Sequence, residues 1–183
     1  MSAADPPEIT TRRALPADAA LLAELGASTF SDTFAPDNTP DNLVRYLAGA
    51  FGEEIQRAEL EDPEVSVFFA ERDGAVVGYG MLRDGPAPPE VRGVDDVLEI
   101  ARFYARREAR GSGVGRTLMQ LAIREAAARG KDALWLAVWE RNVTAIDFYR
   151  RWEFFEAGVN KPFQLGDDLQ TDRVMVRRIA RES

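Results

Sequence analysis

The chain has 183 residues, of which 45% are hydrophobic and 30% charged, a composition typical of one globular domain with a buried core. It contains no Cys and no His, and its formal net charge is -8. These counts exclude a thiolate acyl carrier, a Ser/His/Asp triad and a Cys/His zinc site, and we expect no metal. The negative charge disfavours nucleic acid as a partner and favours a cationic one.

Residues 1–7 are predicted to be a flexible leader, and residues 8–183 a single domain. The leader lacks a basic segment followed by an apolar one, and no apolar run reaches the roughly 20 residues of a membrane span. We therefore expect no membrane anchor and a cytoplasmic location.

The N-terminal third predicts a strand followed by helices. Residues 9–15 are typical of a short strand, and Pro16 begins a helix whose apolar side chains recur at helical spacing. Thr39 opens a second helical region, which continues to residue 61 and ends before Pro63.

Two apolar runs then predict a β-hairpin. Residues 65–71 and 76–83 are rich in β-branched and aromatic side chains. Arg72-Asp-Gly-Ala between them contains the Asp-Gly pair, which tolerates the positive φ of a tight turn. Residues 97–105 predict a further strand that runs into a charged, glycine-bearing loop.

The next segment predicts a helix, a buried strand and another helix. The first helix begins at Val114 and stops at Gly130. Residues 133–139 are apolar on both faces, which indicates the central strand of a sheet. Asn142 can cap the helix that follows.

The C-terminal segment predicts two closing strands, residues 154–157 and 173–179, which flank a polar loop at residues 165–172. The complete order is strand, two helices, three strands, helix, strand, helix and two strands. This order predicts an α/β fold, with a mixed, mostly antiparallel sheet of about seven strands and helices on both faces.

The loop Arg110-Gly-Ser-Gly-Val-Gly-Arg116 lies between a predicted strand and a predicted helix. Backbone amides and the positive end of the helix dipole point to the same place there, and glycines let the backbone approach a ligand. Arg106 and Arg107 add positive charge just before the loop. The glycine spacing fits neither a Walker loop nor a dinucleotide-binding fingerprint. The loop therefore predicts a site for a ligand with several phosphates.

The same loop matches the pattern Arg/Gln-x-x-Gly-x-Gly/Ala and follows a strand that ends in Phe103-Tyr-Ala. With Asn142 and the Ala145-Ile-Asp-Phe-Tyr149 helix downstream, the chain resembles the GNAT N-acetyltransferase superfamily. The resemblance implies the GNAT fold and acetyl-CoA as acetyl donor. It implies that the strand holds the pantetheine arm, that the loop wraps the pyrophosphate and that Asn142 contacts the cofactor. The implied cofactor-binding residues are Phe103, Tyr104, Ala105, Arg110, Gly111, Ser112, Gly113, Val114, Gly115, Arg116 and Asn142.

Residues 29–34, 137–142 and 165–172 further resemble the PaiA-type polyamine acetyltransferases of this superfamily. That resemblance implies spermidine or spermine as the acetyl acceptor. From the residues themselves, Asp167, Asp168 and Asp172 form an acidic cluster that can bind ammonium groups. A solvated loop is an equally good interpretation of these three side chains.

Acetyl transfer to an amine requires a neutral amine, a stabilised oxyanion and a proton for the departing thiolate. Because the chain has no Cys, direct attack is favoured over an acyl-enzyme. Tyr149 resembles the superfamily tyrosine that protonates the thiolate, or else is an aromatic core residue. Glu99 is the candidate base, because burial in an apolar strand would raise its pKa. Alternatively, Glu99 pairs with an arginine such as Arg102 or faces solvent.

Two other functions remain compatible with the sequence. One is acetylation of protein N-termini or lysine side chains, and the other is a catalytically silent regulatory domain that senses acetyl-CoA. The presence of Tyr149 disfavours the silent domain. We expect a small-molecule amine as partner, with no nucleic acid and no membrane, and a homodimer is compatible with the sequence.

Overall fold

The computed structural model describes residues 8–180, apart from the side chains of residues 159–161. The predicted flexible leader, residues 1–7, lies outside the described residues, as do the last three residues of the chain. Within the described range the chain forms seven strands and five α-helices. The strands are β1 (Thr10–Arg13), β2 (Val65–Arg72), β3 (Ala75–Pro86), β4 (Asp96–Ala105), β5 (Ala133–Trp139), β6 (Phe155–Leu165) and β7 (Asp168–Arg178). The helices are α1 (Ala19–Phe34), α2 (Pro40–Ala50), α3 (Glu53–Glu61), α4 (Val114–Ala128) and α5 (Val143–Arg151).

The seven strands form one sheet in the order β1-β2-β3-β4-β5-β7-β6. The β4–β5 pair is parallel and the other five pairs are antiparallel, which confirms the predicted mixed, mostly antiparallel sheet. A parallel pair needs a crossover connection, and α4 provides it. The sequence placed β5 at the centre of the sheet; β5 is interior, but the middle position belongs to β4.

Helices cover both faces of the sheet. On one face, α4 and α5 pack with β4, β5 and β7 around Leu98, Leu136 and Met175. On the other, Leu22 and Leu25 of α1 pack against β2 and β3. None of the helices within residues 8–180 combines the length and the apolar character that a membrane span requires.

The predicted turn between β2 and β3 is confirmed. Asp73 and Gly74 have φ angles of 52° and 77°, and the two strands pair antiparallel on either side. Positive φ at both central residues gives a turn twist that matches the right-handed twist of the flanking strands.

Two segments differ from the sequence predictions. The helical region expected up to residue 61 divides at Phe51 and Gly52, because Phe51 turns into the core and Gly52 starts α3 from an extended conformation. The polar loop expected at residues 165–172 is mostly strand, and the turn contains only Gly166 and Asp167. Leu165 is fully buried and anchors the end of β6.

Candidate active site

Strands β4 and β5 lie side by side only at their beginnings. Residues 97–99 pair with residues 133–135, and the strands then separate, although β4 continues to Ala105 and β5 to Trp139. Beyond the last pair, the edge of β4 that faces β5 presents backbone N–H and C=O groups outside the ladder. An extended ligand that contains amide groups can bind such an edge as an added strand would.

The loop between β4 and α4 forms a backbone cradle. Gly111 and Gly113 have φ angles of 78° and 101°, in the left-handed region that favours glycine. A Cβ on Gly111 would meet no atom within 4 Å, and one on Gly113 would meet Ile9 Cδ1 at 3.8 Å. The N–H groups of the first three residues of α4 have no intrahelical acceptor, because no helical carbonyl precedes them. The loop therefore offers several donors around open space, which suits a phosphate group.

The arginines before and within the loop have different environments. Arg106 Nη2 lies 2.8 Å from Glu24 Oε2, and Arg107 Nη2 lies 3.2 Å from Asp32 Oδ1, so α1 balances both charges. Arg110 is exposed and donates to a threonine hydroxyl of α1 at 3.4 Å. The charge of Arg110 is thus the better placed for a phosphate.

A cavity of about 180 Å³ lies where β4 and β5 separate. Its wall combines residues from α1, α2, α5 and four strands, and aromatic rings dominate it. Ring centroids lie 4.2 Å apart for Phe30 and Phe34, and 4.5 Å apart for Phe30 and Tyr46. The aromatic lining residues are Phe30, Phe34, Tyr46, Phe51, Phe103, Tyr104, Trp139, Tyr149 and Phe163.

Tyr149 projects from α5 into both the core and this cavity. It is 8% exposed, and its ring centroid lies 5.6 Å from that of Phe154 in the core. It also belongs to the cavity wall, so both interpretations of the sequence apply to it. Burial raises the pKa of Tyr149, which keeps its hydroxyl protonated at neutral pH. A protonated hydroxyl in the wall is suited to donate a proton.

Two charged side chains, Arg102 and Asp172, belong to the cavity wall. Arg102 Nη1 and Nη2 lie 2.8 and 3.0 Å from the two carboxylate oxygens of Glu59 on α3. Glu59 therefore balances the charge of Arg102. Asp172 is opposite Trp139 in the β5–β7 ladder, and its Oδ1 atom is buried. The carboxylate in the wall is therefore that of Asp172.

Glu99 lies on β4 before the strands separate. Its side chain is 21% exposed, and Oε2 lies 3.5 Å from Arg83 Nη1. The pairing that the sequence left open is therefore present, with Arg83 in place of Arg102. Glu99 is not among the described residues that form the cavity wall. Its role as base stays a prediction.

Asp167 and Asp168 join the β6–β7 hairpin to α2. Arg45 Nη2 lies 2.7 Å from Asp167 Oδ2, and Asn42 Nδ2 donates to Asp168 Oδ2 at 3.2 Å. The structure thus separates these two carboxylates from Asp172, which is in the cavity wall. Their substrate-binding role stays a prediction. Within residues 8–180, acidic side chains do not gather into a group of three that could hold a metal ion.

The sequence model of the acetyltransferase (GNAT) family matches residues 30–154. The chain belongs to this family. As a GNAT protein it is an acetyl-CoA-dependent N-acetyltransferase. The separated strands and the glycine loop lie within the matched segment, and so does the cavity wall apart from Phe163 and Asp172.

Individual relatives agree with this assignment. The chain is 35% identical to an uncharacterized N-acetyltransferase of Lactobacillus delbrueckii subsp. lactis over 158 residues, which cover 85% of this chain and 88% of the relative. It is 32% identical to a streptothricin acetyltransferase of Streptomyces lavendulae over 171 residues, 85% of this chain and 86% of the relative. The fold is similar to that of a PaiA N-acetyltransferase from Thermoplasma acidophilum solved with coenzyme A, with a TM-score of 0.74, 17% identity and coverage of 93% and 99%.

The cofactor-binding residues predicted from the sequence lie partly in the cavity wall and partly in the loop before α4, which is not among the segments that line the cavity. Asn142 caps α5, as predicted, because its Oδ1 accepts a hydrogen bond from the Ala145 amide at 3.2 Å. Asn142, Phe103 and Tyr104 also belong to the cavity wall. The described residues thus fit acetyl-CoA, with an unpaired strand edge for its amides and a donor-rich loop for its phosphates.

Most of the aromatic wall was missed at the sequence level. Phe30 and Phe34 are four residues apart in α1, a spacing that places both on one helix face and is compatible with an aromatic pair. The rings of Tyr46, Phe51 and Phe163 come from three other segments, and no local signal links them.

Proposed function

We propose that the protein transfers an acetyl group from acetyl-CoA to a primary amine, with a polyamine such as spermidine or spermine as the acetyl acceptor. The cavity beside Tyr149 carries this proposal, because it combines aromatic faces with one carboxylate, that of Asp172. Aromatic faces attract ammonium groups through cation–π interactions, and a carboxylate adds a charge-assisted hydrogen bond.

The size of the cavity favours a narrow acetyl acceptor. Its volume is about 180 Å³. An acetyl group and the end of an unbranched amine fit this volume. A peptide backbone with its side chains would need a wider, open groove. The cavity therefore favours a small amine over a protein N-terminus.

The choice of a polyamine rests on two further observations. Residues 29–34, 137–142 and 165–172 resemble PaiA-type enzymes, and they supply Phe30, Trp139 and Asp172 to the cavity wall. The net charge of -8 also favours a polycation. Asp167 and Asp168 are proposed to attract the distal ammonium groups from the neighbouring turn.

The proposed reaction is direct attack in a ternary complex. The end of β4, the glycine loop and Asn142 would hold acetyl-CoA, which supplies an activated acetyl thioester when bound. Tyr149 donates its hydroxyl proton to the departing thiolate. Glu99, the base predicted from the sequence, is one candidate for removing the proton of the amine.

An acceptor panel tests the proposal. Release of CoA is measured with spermidine, spermine, a monoamine of matched length, glucosamine and an alanine-first peptide. We expect kcat/KM to be highest for the polyamines, because only they combine a reactive amine with further cationic groups. The matched monoamine isolates the contribution of those extra charges.

Other rankings would contradict the proposal in distinct ways. A panel in which the peptide reacts fastest would replace the polyamine by a protein N-terminus. Binding of acetyl-CoA without reaction of any acceptor would instead favour the regulatory domain.

A further inference from the structure

We infer that Asp172 is the catalytic base, the group that takes the proton from the acetyl-acceptor amine. The inference rests on the proposed amine acetyltransferase activity, but it does not depend on the amine being a polyamine. It assigns to Asp172 a step in the chemistry, beyond the substrate binding predicted from the sequence.

Among the titratable groups of the cavity wall, one is suited to accept a proton. They are Tyr46, Arg102, Tyr104, Tyr149 and Asp172. Burial raises the pKa of all three tyrosines, so each stays protonated at neutral pH. A guanidinium keeps its proton throughout the accessible pH range. Among the described residues of the wall, Asp172 is thus the group that can accept a proton near pH 7.

The position of Asp172 suits this role. It faces Trp139 across the β5–β7 ladder, and it shares the cavity with Tyr149, the proposed proton donor. Burial raises the pKa of Tyr46, Arg102 lowers it, and the Asp172 carboxylate raises it further, as expected for charges near the same tyrosine. An amine held between Asp172 and Tyr149 would have a base and an acid within one small, aromatic enclosure.

Glu99 occupies a different environment. Its carboxylate pairs with Arg83 at 3.5 Å, and Arg83 also lies 3.9 Å from Glu59, the partner of Arg102. Glu99 therefore belongs to a network of alternating charges on the α3 side of the sheet. Glu99 is not among the described residues of the cavity wall, whereas Asp172 is.

The proton balance of the reaction requires a base twice. Asp172 takes the first proton from the ammonium and passes it to solvent. The neutral nitrogen then attacks the thioester carbonyl carbon and forms the C–N bond. As the C–S bond breaks, the nitrogen gives its second proton to Asp172, and Tyr149 gives its hydroxyl proton to the thiolate. Transfer of the proton on Asp172 back to Tyr149 through solvent restores the site, with one proton released overall.

Four other titratable side chains belong to the same cavity wall. Tyr46 comes from α2, Arg102 and Tyr104 come from β4, and Tyr149 comes from α5.

The test compares three purified full-length variants with the best amine of the panel, whichever amine that is. Asp172→Asn keeps the shape of the side chain and removes its basicity. Asp147→Asn is the matched control, because Asp147 is an exposed carboxylate of α5 that pairs with Arg150. Glu99→Gln tests the competing base. Calorimetric affinity for acetyl-CoA and the thermal midpoint show whether each variant is folded and loaded.

We expect Asp172→Asn to lower kcat by about 10²-fold or more at pH 7, the scale of a positioned general base, with acetyl-CoA affinity unchanged. In Asp172→Asn kcat/KM should rise with pH as the amine loses its proton, because only amine that is already neutral reacts. The defect should also shrink with trifluoroethylamine, an amine that is largely neutral at pH 7. Asp147→Asn should match the wild type.

Three results would overturn the inference. One is a raised KM for the amine with unchanged kcat in Asp172→Asn, which would make Asp172 a substrate anchor. Another is a large loss of kcat in Glu99→Gln alone. The third is wild-type turnover in both variants, which would leave water as the base. A failure of the polyamine proposal appears separately, as a different order in the acceptor panel.

Discussion

At the scale of single residues, Tyr149 combines a packing role with a proposed chemical one. Its ring packs against Phe154, and the residue also belongs to the cavity wall. Tyr149→Phe keeps the ring and removes the hydroxyl, so we expect the thermal midpoint and acetyl-CoA affinity to change little. Turnover should fall by about 10²-fold or more, as for the loss of a general acid. Turnover should be measured by pre-steady-state kinetics with the best amine, because slow attack by a poor amine would hide the effect on thiolate expulsion.

The matched control for this variant is Tyr79→Phe. Tyr79 is also fully buried, stacks on Tyr104 with a centroid distance of 5.9 Å, and is not among the described residues of the cavity wall. Loss of its hydroxyl should leave turnover near the wild-type value. Wild-type turnover in Tyr149→Phe would make Tyr149 a core residue and leave solvent to protonate the thiolate.

At the scale of elements, the loop before α4 should determine acetyl-CoA affinity. Arg110→Ala removes a charge, and Gly113→Val places a branched side chain where backbone must approach phosphate, at a φ of 101°. We expect calorimetry to report at least about a tenfold weaker Kd for Arg110→Ala, the scale of one charge-assisted hydrogen bond. Gly113→Val should also weaken binding.

A second glycine provides a control that separates the effect of backbone strain from the effect on acetyl-CoA binding. Gly130 has a φ of 66° just after the other end of α4, and a Cβ there would meet no atom within 4 Å. Gly130→Val should therefore lower the thermal midpoint through backbone strain, as Gly113→Val does, while acetyl-CoA affinity stays at the wild-type value. Unchanged affinity in both loop variants would place the cofactor elsewhere.

The same elements explain what the sequence could reveal. Helix α4 follows from apolar periodicity and strand β5 from a continuous apolar run, because the surfaces that each buries are defined by its own residues. Because β6 is an edge strand, where polar side chains are tolerated, the sequence predicted only the shorter strands 154–157 and 173–179 for the β6–β7 hairpin. Asn42 and Arg45 of α2 hold its turn through contacts that are 125 and 122 residues apart in sequence. Contacts between residues so far apart cannot be predicted from the local composition of the sequence.

At the scale of the whole molecule, the GNAT fold was predictable and the candidate site was predictable only in part. The glycine loop is contiguous and has a motif, whereas the cavity is assembled from seven elements. Asp172 was grouped with Asp167 because the two are close in sequence. The ladder of β7 instead carries Asp172 into the cavity and leaves Asp167 at the turn.

Ion pairs that tie distant parts of the molecule together should make its stability depend on acid pH. Arg12 lowers the pKa of Asp18 by hydrogen bonding, although partial burial opposes this. Burial would raise the pKa of Asp84, but Lys131 and Arg129 outweigh it, and the pKa is lowered. Both carboxylates thus bind protons less readily in the folded protein than an aspartate with the ordinary pKa of 3.8 does in the unfolded chain. Their stabilisation is present above that value and is lost as pH falls from about 5 through the folded pKa values.

Asp84→Asn tests this dependence. Asp84 lies 2.7 Å from both Arg129 and Lys131, so the variant should lower the free energy of unfolding at pH 7 by about 1 kcal/mol. The difference from the wild type should shrink as pH approaches 3, because the wild-type carboxylate is then being protonated. Urea midpoints measured between pH 7 and pH 3 give both quantities. Asp147→Asn, in which a half-exposed pair with Arg150 is lost, should change the midpoint less at every pH. A constant difference between Asp84→Asn and the wild type across this range would mean that acid destabilises the fold through other carboxylates.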